Sequence, residues 1–247
     1  MSRLSRGSSL VLAVALLLLS GCTTSKPQTA VPAPSAGAPA APTFSLTNPP
    51  YAPGYPAGDG LGYRKPVIYL YPLRTTSVSV RLTVDGAITK TVPLADSSGA
   101  WRVTASPSGI LRTSSGQEYP YLFWEADAQA TFDMSTGFVI AGRDTRAFLA
   151  DKLTALGLNA SESDAFIAYW APRMESNAYN LVHFEGPVYE RSARLLVTPQ
   201  PDTQIRVFMV FQPLAAPVDV TPQQLASPAS RHGFVLVEWG GTELAAR

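Results

Sequence analysis

Two glutamates of this chain have the sequence surroundings that acid–base chemistry requires. Glu125 follows the run Tyr-Leu-Phe-Trp and Glu238 follows Phe-Val-Leu-Val, and each adjoins a tryptophan, Trp124 or Trp239. Partial burial by aromatic rings raises the pKa of a carboxyl group, which suits a general acid. Two such groups across a cleft, with tryptophans for sugar rings to stack on, would suit glycoside hydrolysis. The alternative is structural, because glutamates at strand ends also accept amide hydrogen bonds or pair with an arginine.

A second candidate site is the segment 169–184, which is dense in polar and aromatic residues. Arg173 could hold a carboxylate through two parallel hydrogen bonds, Asn180 is a further candidate binding residue, and His183 could transfer protons. The run Leu-Val-His-Phe at 181–184 also has the pattern of a strand, in which a single histidine is a structural residue. The sequence leaves both interpretations open.

Several common catalytic chemistries are excluded by motif. The chain has no Gly-x-Ser-x-Gly elbow, phosphate-binding loop, dinucleotide-binding glycine pattern or His-Glu-x-x-His. Its two histidines, His183 and His232, lack metal-ligand spacing. We therefore expect neither a metal nor a cofactor.

The single cysteine, Cys22, ends a run typical of exported proteins. Arg3 and Arg6 precede an apolar stretch of roughly ten residues, about half of what a membrane-spanning helix needs. This order predicts a secretory signal peptide at 1–21. Leu-Ser-Gly-Cys at 19–22 resembles the lipobox of bacterial lipoproteins, which implies cleavage before Cys22 and acylation of its thiol and new amine. Acyl chains such as palmitate then anchor the protein. The alternative is an incidental cysteine in an ordinary cleaved leader, or a buried thiol.

Lipidation at Cys22 would also explain what the rest of the chain lacks. No disulfide is possible and cysteine catalysis is excluded, so the protein needs an ordinary hydrophobic core. Cleavage removes Arg3 and Arg6, which lowers the basic residues from 19 to 17 against 18 acidic ones. A near-neutral chain without a basic stripe predicts no nucleic-acid partner. The expected location is the cell envelope, and Thr23 is compatible with the outer membrane, facing the periplasm or the exterior, if the source has two membranes.

The composition divides the mature chain into two parts. Residues 22–63 are rich in Ala, Pro and Gly and predict a tether. Residues 64–247 suit one β-rich domain. Its β-branched and aromatic runs predict strands at 67–71, 78–84, 88–93, 101–103, 119–125, 138–141, 195–198, 205–212 and 234–239. Asp85-Gly86 predicts a hairpin between the second and third of these, and residues 199–203 have the length of another hairpin turn.

Two predicted helices interrupt the strands. The first begins at Asp144 or Thr145 and ends at Gly157. The second begins at Ser161, where Ser-Glu-Ser-Asp has the spacing of a capping box, and Pro172 limits or kinks its end. The predicted class is therefore α+β with β dominant: an antiparallel β-sandwich or open barrel with a helical hairpin near 145–171.

Three segments resemble motifs of an uncharacterised group of extracytoplasmic microbial domains: Lys-Pro-Val-Ile-Tyr-Leu-Tyr-Pro (65–72), Tyr-Leu-Phe-Trp-Glu (121–125) and Val-Glu-Trp-Gly-Gly (237–241). The resemblance implies that these segments belong to one domain and carries no substrate or catalytic residue with it. The leading hypothesis is a lipid-anchored envelope protein whose β-rich domain binds a glycan, a peptide or a partner protein, or braces envelope components. The alternative is an envelope glycan hydrolase that uses Glu125 and Glu238.

Overall fold

Alternating apolar and polar residues build most of the fold as strands. The computed structural model describes residues 62–128 and 130–247, which all fall within one unit, Leu46–Arg247. The strands are β1 Gly62–Tyr71, β2 Thr76–Val84, β3 Gly86–Val92, β4 Ala100–Ala105, β5 Leu111–Arg112, β6 Glu118–Tyr119, β7 Leu122–Ala128, β8 Thr136–Ala141, β9 Tyr179–Glu185, β10 Ala193–Thr198, β11 Thr203–Leu214, β12 Thr221–Pro222 and β13 Val235–Glu243. The helices are α1 Thr145–Ala155, α2 Ala160–Met174 and α3 Pro187–Ser192, with a 3-10 turn at Gly142–Asp144. The predicted signal peptide, Cys22 and residues 22–61 of the predicted tether at 22–63 lie outside the described residues.

The strands form two sheets. The large sheet has the order β12-β8-β9-β11-β13-β1-β7-β3, and the small sheet has the order β10-β2-β4-β5-β6. Neighbouring strands are antiparallel except β11 with β13 and β8 with β12, which are parallel. The predicted α+β, β-dominant class is confirmed, and of the two architectures predicted the sandwich is the one observed.

Each face of the large sheet covers a separate core. One face packs against the small sheet and forms the intersheet core, which includes Trp101 and Trp124. The other face packs against α1 and α2 and forms the helix-side core, which includes Trp170 and Trp239. The domain is therefore three-layered, with the large sheet in the middle. Successive residues along a strand of this sheet face the two cores alternately.

The predicted helical hairpin is confirmed, with one boundary corrected. α1 ends where predicted, since Gly157 follows its last turn with φ of 91°. α2 begins earlier than predicted because the capping box is formed by Asn159 and Glu162, not by Ser161 and Asp164. The amide N–H of Glu162 donates to Asn159 Oδ1, and the amide N–H of Asn159 donates to Glu162 Oε2, both at 2.9 Å. No helix in the described part of the chain has the length and apolar character needed to cross a membrane.

The hairpin predicted at Asp85-Gly86 is wrong. β2 already has β10 and β4 on its two edges, so β3 has no free edge to join and pairs with β7 in the large sheet instead. Residues 199–203 likewise connect strands of different sheets, β10 and β11. Both turns carry the chain from one layer to the other, which local turn residues do not specify.

Candidate functional site

A bulge in β1 contains an unusual residue, Lys65. Between Arg64 and Val67 the register of β1 shifts by one residue against both of its neighbours, β13 and β7. Lys65 has φ of 57°, the only positive φ of a non-glycine residue in ranges 62–128 and 130–247. A left-handed backbone costs such a residue about 1–2 kcal/mol, and strain of this kind collects at functional sites.

The bulge reverses the direction in which the side chains of β1 point. Tyr63 lies in the intersheet core and Val67 in the helix-side core, although residues four apart in a regular strand share a face. The extra residue directs Lys65 to the helix side, and re-aiming a side chain is a known role of bulges. Pro66 packs against Gly240, where an added Cβ would lie 2.8 Å from the proline ring. The Lys-Pro pair of β1 therefore packs directly against the Gly-Gly pair of β13, where the absence of a side chain leaves room for the proline ring.

Three aromatic rings surround the amine of Lys65. Its Nζ lies 4.9 Å from the ring centroid of Phe123, 5.3 Å from that of Tyr121 and 5.6 Å from that of Tyr169. These distances lie within the range of cation–π attraction. Nζ also donates to the hydroxyl oxygen of Tyr121 at 3.4 Å, and the residue is 8% exposed. We call Lys65, Tyr121, Phe123 and Tyr169 the lysine cage.

Charged groups of both signs border the lysine cage. Glu125 Oε1 accepts from the backbone N–H of Lys65 at 3.4 Å, and Lys90 is paired with Glu125 in the register of β3 and β7. The guanidinium of Arg173 lies 3.9 Å from the ring centroid of Tyr169. Lys65 and Phe123 are buried, whereas the other two rings of the cage and the charged groups beside it are half-buried, so the cage lies near solvent.

Burial lowers the pKa of Lys65 to about 8. Glu125 opposes this change by favouring the ammonium form, whereas Arg173 and Lys90 add to it. At the end of β13, burial raises the pKa of Glu243, and Arg173 opposes that change. With a pKa of about 8, roughly a tenth of Lys65 is a neutral amine at pH 7.

The two glutamates predicted as an acid–base pair lie on opposite faces of the large sheet. In β7, Trp124 belongs to the intersheet core, so the next residue, Glu125, points to the helix side. In β13, Trp239 belongs to the helix-side core, so Glu238 points to the intersheet side. The two carboxylates therefore do not flank a common cleft, as glycoside hydrolysis by such a pair requires.

Glu238 has a structural environment between the sheets. It is 0% exposed, and its Oε2 accepts from Arg206 Nε at 2.7 Å while its Oε1 accepts from Trp124 Nε1 at 3.0 Å. Arg206 Nη2 donates in turn to the carbonyl of Ala193 in β10 at 2.7 Å. This buried ion pair links the large sheet to the small one.

The tryptophans do not form a stacking surface. The sequence predicted Trp124 and Trp239 as binding residues, but the structure places each of them in a core. All four tryptophans of the chain are at most 2% exposed: Trp101, Trp124, Trp170 and Trp239. Their burial supplies core packing and leaves no indole face available for a sugar ring.

The three candidate binding residues of segment 169–184 do not converge. Arg173 lies beside the lysine cage. Asn180 is buried, donates to the carbonyl of Met174 at 2.9 Å and thereby fastens the end of α2 to β9. His183 lies on the intersheet side of β9, since Val182 and Phe184 belong to the helix-side core. Only Arg173 therefore remains near another candidate, Glu125.

His183 has neighbours of its own. Its Nδ1 donates to the carbonyl of Thr136 at 2.8 Å, and its Nε2 lies 3.7 Å from Glu185 Oε1. Burial raises the pKa of Glu185, and His183 opposes that change. Among the residues that the structure describes, no three His, Cys, Asp or Glu side chains are grouped in a way that could hold a metal ion.

Lys65 is the site residue that sequence reasoning missed. Its type and position, a lysine followed by proline at the start of an apolar strand, do carry a signal. Proline cannot donate to a sheet ladder and occurs in strands mainly at edges and bulges. A Lys-Pro pair entering a strand that is buried on both faces therefore indicates a bulge, and with it a reversed side-chain direction.

The fold and the site together define a three-layered α+β domain with a caged lysine where the helix layer meets the sheet. A stretch of 72 residues, 29% of this chain, is 46% identical to an uncharacterized protein in the bglA 3′ region of Butyrivibrio fibrisolvens and covers 71% of that protein. The chain belongs to the same family as this protein. No family model matches the chain, and no solved structure does.

Proposed function

We propose that this chain is a lipid-anchored protein of the cell envelope whose β-rich domain binds an envelope glycan at the lysine cage. The binding part of the proposal is carried by one observation: a lysine, not a glycine, occupies a left-handed bulge position and places its amine among three aromatic rings near the protein surface. The location is supported by the resemblance of Leu-Ser-Gly-Cys at 19–22 to a lipobox.

The placement of Lys65 works against stability in two ways, which favours a functional reason for it. Its backbone conformation is strained for any residue with a Cβ, and its amine loses hydration on burial. Glycine would relieve both costs, and methionine would relieve the second. Residues that are strained or desolvated at a cost to stability are typical of binding and catalytic sites.

The groups around the lysine cage suit a polar, uncharged or anionic ligand. Lys65 and Arg173 offer cationic donors, while Glu125 and Tyr121 offer oxygens that accept from hydroxyl groups. A glycan presents such hydroxyls and, where it has acidic sugars, carboxylates. Nothing in the geometry favours hydrolysis by Glu125 and Glu238, because a whole sheet separates their two faces.

The anchoring part predicts that Cys22→Ser moves the protein from the membrane to the soluble fraction of fractionated cells. The thiol that receives the lipid is then missing, and the near-neutral sequence has no run of basic residues to hold the protein at a membrane surface. The measurement is an immunoblot of both fractions, with mass spectrometry for acyl chains on the mature N-terminus. Wild-type protein without acyl chains would contradict this part.

The binding part predicts that wild-type protein co-sediments with protease-treated envelope polysaccharide. Lys65→Met is expected to lower the affinity for the polysaccharide at least about tenfold, because one charged hydrogen bond contributes about 1.5 kcal/mol. Lys152→Met is the matched control. Lys152 also contacts two rings, Phe138 and Phe148, but lies away from the cage beside Asp151.

If Lys65→Met co-sediments with the polysaccharide as well as wild type and Lys152→Met do, the lysine cage is not the binding site. Soluble sugar fragments that appear with wild type and not with Glu125→Gln would contradict simple binding. They would indicate a hydrolase in which Glu125 acts without Glu238.

A further inference from the structure

We infer that Lys65 captures an aldehyde covalently and reversibly, as an imine, and that the natural aldehyde is the open-chain form of a reducing sugar. This inference rests on the proposed function, since it specifies which part of a glycan the lysine cage would hold. It also explains why the site uses a primary amine where arginine would be the stronger partner for a carboxylate.

The geometry around Nζ supports amine chemistry. The three rings of the lysine cage attract the ammonium form, but the burial that they provide also removes water from most of the amine. Loss of hydration favours the uncharged form, which is the one that attacks a carbonyl carbon. The low pKa of Lys65, about 8, agrees with this enclosure. The hydroxyl of Tyr121 is 3.4 Å from Nζ, within reach of an oxygen on the carbon that Nζ attacks.

The reaction balances without a cofactor or an oxidant. The nitrogen lone pair of Lys65 forms a bond to the aldehyde carbon, and the carbonyl oxygen takes up a proton to give a carbinolamine. Loss of the hydroxyl group as water then gives the imine, and addition of water reverses both steps. Tyr121 is placed to pass the proton between nitrogen and oxygen, and Glu125 to stabilise a protonated imine.

Only four lysines occur in the chain, so the site of reaction can be read directly: Lys26, Lys65, Lys90 and Lys152. Lys152 is again the useful comparison because its amine contacts rings but pairs with Asp151 at 2.9 Å. A pKa of about 8 against an ordinary 10.5 gives Lys65 about 300-fold more neutral amine at pH 7. The lower intrinsic nucleophilicity of a less basic amine reduces that advantage.

The test treats the full chain, purified with its lipid in detergent, with glycolaldehyde and cyanoborohydride at pH 7 and maps the trapped adducts by peptide mass spectrometry. We expect Lys65 to be modified at least about tenfold faster than Lys152, and the difference to vanish in denaturant. We expect Tyr121→Phe to slow the reaction at Lys65 at least threefold and to leave Lys152 unchanged. In Lys65→Arg we expect the fast-forming adduct to be absent, which confirms that this adduct forms on Lys65.

Equal rates at Lys65 and Lys152 in the folded protein would overturn the inference. If Lys65→Met still weakens sedimentation with polysaccharide in that case, the proposed binding function stands and only the imine fails. If neither the labelling nor the sedimentation depends on Lys65, both the inference and the proposed site fail.

Discussion

Lys65→Met is expected to raise the free energy of unfolding by about 1–3 kcal/mol at pH 7. Methionine keeps an unbranched apolar stem within the lysine cage and has no charge to desolvate. The backbone strain at this position is the same for both residues, so it cancels in the comparison. The measurement is chemical denaturation of wild type and variant at several pH values.

The lowered pKa of Lys65 determines how the stability difference between wild type and Lys65→Met changes with pH. The folded-state pKa of Lys65, about 8, lies below the unfolded value near 10.5. Between these values the unfolded chain binds a proton that the folded protein has released, so wild-type stability rises with pH. The advantage of Lys65→Met is therefore complete below pH 8 and disappears as the pH approaches 10.5. The neighbouring groups that influence Lys65, namely Glu125, Arg173 and Lys90, are present in both proteins.

Lys152→Met again supplies the control. Its amine is paired with Asp151 and its side chain is 26% exposed, so we expect a change of no more than about 0.5 kcal/mol. A Lys65→Met protein that is less stable than wild type at pH 7 would show that the ammonium contributes more by its contacts with the rings than it loses on burial. Lys65 would then be a structural residue.

Glu238→Gln is expected to cost about 3–5 kcal/mol of stability, because it leaves Arg206 charged and buried without its counterion. The amide can still accept from Trp124, so the loss reports the charge and not the indole hydrogen bond. Glu125→Gln is the matched control, since Glu125 is half-buried and accepts one long bond of 3.4 Å. We expect it to cost less than about 1 kcal/mol. Urea denaturation midpoints of the two variants give the comparison.

A double variant separates the charge effect from general loss of packing. Arg206→Met with Glu238→Gln removes both charges and keeps both side-chain volumes close to the original, so stability is expected to recover most of the loss. Equal stability of Glu238→Gln and Glu125→Gln would contradict the structural assignment of Glu238 and would reopen a chemical role for it.

The individual strands were predictable from the sequence, but their partners were not. The alternation of Val78, Val80 and Leu82 with polar residues identified β2 and its inward face correctly. Asp85-Gly86 then suggested a hairpin, yet the chain crosses to the other sheet, because pairing depends on which edges the rest of the fold has already filled. Local residue preference determines the strand, and tertiary packing determines the neighbour.

The site was predictable only in part, for the same reason. Glu125 and Arg173 were both selected from the sequence, and they border the same cage. Their pairing with Glu238 and His183 failed because a strand reverses its face at each residue, and the face of each residue depends on the sheet. Lys65 was missed because a one-residue bulge reverses its direction; the Lys-Pro pair is a sign of a bulge, but its register is defined only by the pairing of β1 with β13 and β7.

The measurement that tests the central claim most directly is the titration of the Lys65 amine itself in the folded protein, followed by NMR of ¹³C-labelled lysine and assigned with Lys65→Arg. The lysine cage predicts a titration midpoint near pH 8 for Lys65. A midpoint near 10.5 for Lys65 would mean that its surroundings do not favour the neutral amine, and would contradict the reactive lysine on which the proposed site depends.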